Sequence, residues 1–192
     1  MFNPLAGGFY FMKITVREMT EIAMLVGVAI LLDTPLLKFR IGANGGSISL
    51  TMIPLIILAL RVGPIKGFIS IGLIYGFLSC LADGEPFYAL PFDYFLGYGS
   101  LAIIGFFKNR ILTKKPMISG IFLMMLSIFI AFIMRLIFSS ISSVIFYEIN
   151  FVGGLIYNLT YMAPAFAAVL VVLLLLYKPL IDINNRFPLK SI

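Results

Sequence analysis

The 192-residue chain contains no histidine, no tryptophan and a single cysteine, Cys80. Without histidine it lacks the commonest general base and the usual metal ligand, and it cannot build a Ser–His or Cys–His nucleophile pair. One cysteine excludes an internal disulfide and a thiolate metal cluster. These absences exclude the commonest catalytic arrangements, and we predict no cofactor and no metal site.

Charged residues are also scarce. They make up 11% of the chain, whereas hydrophobic residues make up 61%. A soluble domain has about 25% charged residues and about 45–50% apolar ones. So few charges cannot keep so much apolar surface in water, and the composition predicts an integral membrane protein.

The hydrophobic residues fall into six runs separated by short polar breaks. They predict an all-α, polytopic membrane protein, a six-transmembrane-helix bundle that forms one domain over residues 1–192. The helices are predicted at about 14–32, 50–60, 65–81, 88–107, 117–145 and 152–177, with the last ending before Pro179. The second run is too short to cross a hydrocarbon layer alone, which needs about 20 residues, and is predicted to be shielded by its neighbours.

The distribution of positive charge predicts that both termini are cytoplasmic. This orientation puts all of the 14 Lys and Arg residues inside except Lys38, Arg40 and Arg135, of which Arg135 lies within the fifth run. Basic loops remain on the cytoplasmic side of membranes. The net charge of +6 is thus a topology signal, and no nucleic-acid partner is predicted.

Two charged residues lie inside the apolar runs, and such residues are candidates for function because their burial is costly. Asp93 lies near the outer end of the fourth run, and Arg135 lies in the fifth. They could instead lie near a helix end or neutralise each other. Tyrosines cluster at the level of Asp93, although a single tyrosine is more often part of an interfacial belt.

A carboxylate beside several rings suits a flat, positively charged heteroaromatic ligand. Asn158 and Asn150 could add hydrogen bonds to the edges of such a ligand.

Two further observations concern partners. Ala23 and Gly27 are small residues four positions apart, a spacing that allows close helix packing, within the bundle or against another membrane protein.

The chain has no Gly-rich loop followed by Lys and Ser or Thr, and so it cannot be an ATPase of that class. A membrane protein with a pocket but no motor suggests a capture subunit that another protein drives.

Several segments also resemble a known family. They are Thr20–Ala23 with Gly27, Gly45–Pro54, Leu60–Gly63, Asp93–Tyr98, Gly105–Phe107 and Tyr157. On these segments the chain resembles the substrate-binding S-components of energy-coupling factor (ECF) vitamin transporters, most closely the thiamine-specific branch. The similarity spans roughly residues 17 to 178.

The resemblance implies a multi-pass protein of a prokaryotic plasma membrane that captures a vitamin for ATP-driven uptake and is not an enzyme. It implies three partners, a membrane coupling subunit and two cytoplasmic ATP-binding subunits. Ala23 and Gly27 inherit the contact with the coupling subunit. The predicted ligand-binding residues are Asp93, Tyr94, Tyr147, Tyr157, Asn158 and Ser139. The outer loop from Asn44 to Ser49 is predicted to be a mobile lid.

The chain departs from the thiamine-binding pattern at several positions. The usual histidine and tryptophan are absent, and Ser139 or Ser140 occupies the expected histidine region. Met162 stands where an asparagine is expected, and Asp93 replaces a glutamate. Thiamine or a related cationic heterocycle is the predicted ligand. The alternatives are another vitamin, such as riboflavin, folate or niacin, and more remotely an assembly protein or an intramembrane enzyme.

Overall fold

The computed structural model describes residues 14–40, 47–113 and 117–189, and these residues are almost entirely helical. The helices are α1 (Val16–Leu32), α2 (Met52–Val62), α3 (Pro64–Asp83), α4 (Phe87–Ile111), α5 (Met117–Tyr147) and α6 (Phe151–Arg186). Four of them, α3 to α6, are long and apolar enough to cross a membrane. The six membrane crossings and the cytoplasmic termini stay predictions.

The helix ends follow from local sequence signals. Thr15 and Glu18 form a reciprocal capping box at the start of α1, which satisfies backbone N–H groups that have no partner in the helix. The Asn150 side chain accepts a hydrogen bond from Gly153 N at the start of α6. Gly63, with φ of +87°, ends α2, and Pro64 then starts α3. Only glycine adopts that backbone angle without strain.

A short hairpin corrects the prediction of a purely α-helical protein. Strand β1 (Phe39–Arg40) pairs antiparallel with strand β2 (Ser47–Ile48) between α1 and α2. The predicted lid lies partly here: Ser47 and Ser49 are described, whereas Asn44–Gly46 lie outside the described residues. Two-residue strands are too short to produce a recognisable alternation of polar and apolar residues, which explains why the sequence did not reveal them.

The predicted end of the last helix was wrong. The helix does not stop before Pro179 but continues to Arg186, and it also contains Pro164. Proline removes only one backbone hydrogen bond, and helices in membranes tolerate it where neighbouring groups compensate. Helix α4 likewise continues past the predicted end to Ile111.

Helix α2 forms the centre of the bundle despite its length of 11 residues. Nine of these residues are buried, and the helix packs against α1, α4 and α6. Its neighbours therefore shield its backbone and side chains from lipid, as the sequence predicted.

Two of the long helices contain a wide turn with π-helical hydrogen bonding. One covers Phe68–Tyr75 in α3 and the other covers Leu90–Leu96 in α4. Such turns are rare, and they are frequent at functional sites. The second contains Asp93 and Tyr94, the two residues that the sequence singled out for ligand binding.

Candidate ligand-binding site

A polar cavity opens between α4, α5 and α6, beneath the end of the hairpin and the loop that joins α3 to α4. All six predicted ligand-binding residues lie on its wall: Asp93, Tyr94, Ser139, Tyr147, Tyr157 and Asn158. The remaining lining residues are Ser47, Ser49, Met52, Asp83, Glu85, Tyr98, Arg135, Ser143, Ile149, Tyr161, Met162 and Ala165. The cavity thus combines charged, hydroxyl and aromatic groups in an otherwise apolar protein.

Helix spacing explains how α5 reaches the whole depth of the cavity. Arg135, Ser139, Ser143 and Tyr147 all line it, and residues four apart lie on one face of a helix. Each step of four residues rises about 6 Å, so that Arg135 lies about 18 Å from Tyr147 along the axis. The fifth helix therefore presents tyrosine at one end of the cavity and arginine at the other.

Asp93 is half-buried in the cavity wall and is held by a neighbouring hydroxyl. The Ser142 hydroxyl, from α5, donates a hydrogen bond to Asp93 Oδ2. Asp93 makes no ion pair with any residue of the described ranges, and the suggested neutralisation by Arg135 is therefore not observed. The hydroxyl positions the carboxylate, and the Arg135 charge acts on it at longer range without forming an ion pair.

Two further acids lie where α3 meets α4: Asp83 is the last residue of α3, and Glu85 lies in the loop that follows. Asp83 Oδ2 accepts a hydrogen bond of 3.0 Å from the Tyr94 hydroxyl, and Glu85 Oε2 accepts one of 3.2 Å from Tyr147. Lys38 pairs with Asp83 and, at 3.4 Å, with Asp33. Burial lowers the pKa of Lys38, but the hydrogen bond to Asp83 and the two carboxylate charges outweigh it and raise the pKa above its usual value. Lys38 therefore remains protonated and ties the segment before the hairpin to the cavity wall.

Aromatic rings surround Arg135 at the other end of the cavity. Its guanidinium carbon lies 3.8 Å from the centre of the Tyr98 ring. Tyr98 in turn packs edge-to-face on Tyr75, with ring centres 4.8 Å apart, and lies 6.2 Å from Tyr94. The Tyr98 ring orients the guanidinium group through cation–π attraction, and the other two rings pack on Tyr98.

Helix α6 contributes an amide and two rings. Tyr161 donates a hydrogen bond of 2.5 Å to Asn158 Oδ1, and Asn158 Nδ2 donates one of 3.3 Å to the Ser143 hydroxyl. Tyr157 packs against Tyr161 with ring centres 5.7 Å apart. These contacts join α5 and α6 at the cavity and fix the amide in one orientation.

Known proteins of similar sequence identify the family. Residues 19–185 match the family model described as "Thiamine transporter protein (Thia_YuaJ)". The chain belongs to this family. The thiamine transporter ThiT of Bacillus subtilis (strain 168) is 29% identical over 177 residues, which cover 83% of this chain and 90% of that protein. The predicted family resemblance is therefore confirmed.

Solved structures show the same fold. The structure of ThiT from Listeria monocytogenes is similar with a TM-score of 0.68 and 20% identity, over 88% of this chain and 96% of that one. A biotin S-component from an ECF-type ABC transporter is similar with a TM-score of 0.66 and 19% identity, over 87% and 94%. The protein thus has the fold of an ECF S-component and is a multi-pass protein of the bacterial plasma membrane.

Two residues that the sequence offered as possible ligand contacts, Ser140 and Asn150, lie away from the cavity. The Ser140 hydroxyl donates to Leu136 O in its own helix, so that Ser139, not Ser140, faces the cavity. Asn150 caps α6 and does not line the cavity.

Sequence reasoning missed Ser142, Ser143 and Glu85. A cluster of serines in a long apolar helix was the available signal for the first two, because such hydroxyls need partners in lipid.

Ala23 and Gly27 lie on a different surface from the cavity. Both are exposed on α1, at an apolar groove that Ile69, Ile74 and Leu78 of α3 complete. A side-chain carbon added at Gly27 would have no described atom within 4 Å. The two small residues therefore do not serve close packing within the described part of the bundle.

Proposed function

We propose that the protein is the substrate-binding subunit of an ECF-type importer and captures thiamine, or a related cationic heterocycle, in the polar cavity. The observation that carries the proposal is Asp93, a carboxylate that forms no ion pair with any described residue, in a cavity walled by tyrosines. Membership of the thiamine transporter family supports the same ligand class. The protein acts in transport, without enzymatic chemistry.

The cavity wall suggests a role for each predicted residue. Asp93 neutralises the positive charge of the ligand, since opposite charges attract strongly away from water. Tyr94, Tyr147 and Tyr157 stack against its rings or hydrogen-bond to them. Ser139 and Asn158 offer hydrogen bonds to the edges of the heterocycle.

The proposed topology has six membrane helices and both termini in the cytoplasm. The cavity then faces outward, and the outer loop from Asn44 to Ser49 acts as the lid. Positive charge supports this orientation, because Lys66, Lys108 and Arg110 lie at the ends of α3 and α4 that are remote from the acidic loop between them.

Binding to the purified protein tests the ligand assignment. Isothermal titration with thiamine measures the affinity of the wild type and of Asp93→Asn, which removes the charge but keeps the shape. We expect Asp93→Asn to weaken binding 10- to 100-fold, about 1.4–2.8 kcal/mol. Asp182→Asn is the matched control, because Asp182 is exposed and lies outside the cavity. Equal affinity of the two variants would overturn the role of Asp93, and the absence of thiamine binding to the wild type would overturn the ligand.

We also propose that the groove at Ala23 and Gly27 receives the membrane coupling subunit, which joins the protein to two cytoplasmic ATP-binding subunits. Gly27→Trp fills the groove, and it should abolish copurification with these subunits while thiamine affinity stays within threefold. Met24→Trp is the control, because Met24 is exposed on α1 but does not line the groove. Copurification of Gly27→Trp at the wild-type level would contradict this interface.

A further inference from the structure

We infer that the preferred ligand carries an anionic oxygen group beside its positive charge, and that Arg135 is the residue that binds this group. The inference rests on the proposed function, since it describes a second charge on the ligand of the same cavity. It assigns to this protein a zwitterionic ligand: a cationic heterocycle with a phosphate ester or a carboxylate.

Arg135 is a cavity residue with an N–H group that no described residue uses. Its Nε is buried and has no hydrogen-bond partner in the described residues, the only buried side-chain nitrogen or oxygen there without one. Arginine is rarely buried unless it is paired, because an uncompensated charge away from water is costly. An anionic group on the ligand would supply the missing partner.

The acids of the cavity are not available to Arg135. Asp83 is engaged by Lys38 and Tyr94, Glu85 by Tyr147, and Asp93 by Ser142. In the described ranges, none of these acids comes within ion-pairing distance of the guanidinium. The protein therefore keeps one positive and one negative group apart in the same cavity.

The spacing of these groups fits one small molecule. Asp93 contacts Ser142, which is seven residues from Arg135 on α5 and thus about 10 Å along the helix axis. Ser139 lines the cavity between these two levels. A ligand of two linked rings with a short charged side chain would reach from the carboxylate to the guanidinium.

The orientation of Arg135 also suits an oxyanion. Tyr98 covers one face of the guanidinium at 3.8 Å and leaves its N–H edge for a ligand. Guanidinium edges bind carboxylates and phosphates through paired, charge-assisted hydrogen bonds. A neutral, acceptor-poor ligand would leave this edge without a partner.

Thiamine and thiamine monophosphate form a matched pair of probes, because both carry the cation and only the second carries an oxyanion. Isothermal titration should give the wild type at least tenfold higher affinity for the monophosphate. Arg135→Gln should lower the affinity for the monophosphate at least tenfold and change that for thiamine less than threefold. Arg110→Gln is the control for charge, because Arg110 is exposed and outside the cavity.

The outcomes separate this inference from the proposed function. If the wild type binds thiamine through Asp93 but Arg135→Gln affects both probes equally or neither, the second charge is overturned and the proposed function stands. If the wild type binds neither probe, both are overturned. Arg135→Lys covers the case in which Arg135→Gln does not fold. This variant keeps the positive charge but cannot make the paired hydrogen bonds of a guanidinium. It should lose affinity for the monophosphate alone. Unchanged affinity for both probes would also overturn the inference.

Discussion

At the scale of single residues, the serines of α5 differ in what their hydroxyls contact. The Ser142 hydroxyl donates a hydrogen bond to Asp93 on α4, whereas the Ser140 hydroxyl donates to Leu136 O, one turn earlier in its own helix. Both side chains are fully buried. Ser142 therefore orients the carboxylate before a ligand arrives, whereas the hydrogen bond of Ser140 stays within α5.

Ser142→Ala should weaken the binding of thiamine about three- to tenfold, because the Asp93 carboxylate loses the hydrogen bond that positions it, worth about 1 kcal/mol. Isothermal titration checks this, with Ser140→Ala as the matched control on the same helix. The control should bind as the wild type does. A loss of similar size in both variants would show that the effect comes from helix packing and not from the orientation of Asp93.

The sequence predicted the charged and aromatic residues of the cavity, but not how they are paired. Asp93 and Arg135 stood out because charges are rare in apolar runs. The hydrogen bond from Ser142 to Asp93 could not be predicted, since it depends on how α5 is rotated against α4. The stacking of Arg135 on Tyr98 depends on the same helix contact.

At the scale of elements, α4 passes very close to the junction of α2 and α3. A side-chain carbon at Gly105 would lie 2.6 Å from the Gly63 carbonyl carbon and 2.7 Å from Pro64 N. Both are backbone atoms that cannot move independently of their helices. Gly105 therefore sets the distance between these elements, and so the position of the α4 residues that line the cavity.

Gly105→Ala should lower the free energy of unfolding by about 1–3 kcal/mol, because the added methyl group forces the helix backbones apart. Thermal unfolding in detergent measures the change. Gly27→Ala is the matched control, since it meets no described atom within 4 Å and alanine favours a helix by up to about 1 kcal/mol. The control should unfold at the same or a higher temperature. A Gly105→Ala protein as stable as the control would contradict this close contact.

Most elements could be predicted from hydrophobic runs and their breaks. The exceptions were the hairpin and the continuation of two helices, α4 to Ile111 and α6 past Pro179. Proline normally signals the end of a helix, but α6 continues because its last turns contact Arg61 through Asn184. That contact joins distant parts of the chain, which local sequence signals do not report.

At the scale of the whole molecule, Arg61 joins three helices at the end of the bundle remote from the cavity. Its guanidinium donates to both Glu21 carboxylate oxygens, at 2.7 and 2.8 Å, which links α2 to α1. It also donates to Asn184 Oδ1 at 3.2 Å and to Phe187 O at 2.9 Å, which links α2 to the end of α6. Its side chain is only 4% exposed.

Arg61→Gln should lower the free energy of unfolding by about 1–3 kcal/mol, because it leaves Glu21 and the end of α6 without their shared hydrogen-bond donor. Arg17→Gln is the control, since Arg17 also pairs with Glu21 but at 3.6 Å and with 47% of its side chain exposed. Such a pair is worth less than about 1 kcal/mol. Thermal unfolding of both variants checks the difference. Equal melting temperatures would mean that Arg61 does not hold the three helices together.

The wide turn at Leu90–Leu96 has a consequence for comparing this protein with its relatives. A π-helical turn holds about one residue more than an α-helical turn, because its hydrogen bonds run from residue i to i+5. Asp93 therefore points in a different direction from the one that a regular α-helix would give it. Deletion of one residue here would rotate the carboxylate away from the ligand, while the length of the span would change little. A chain that lacked one residue of this turn would present the same carboxylate on another side of the helix.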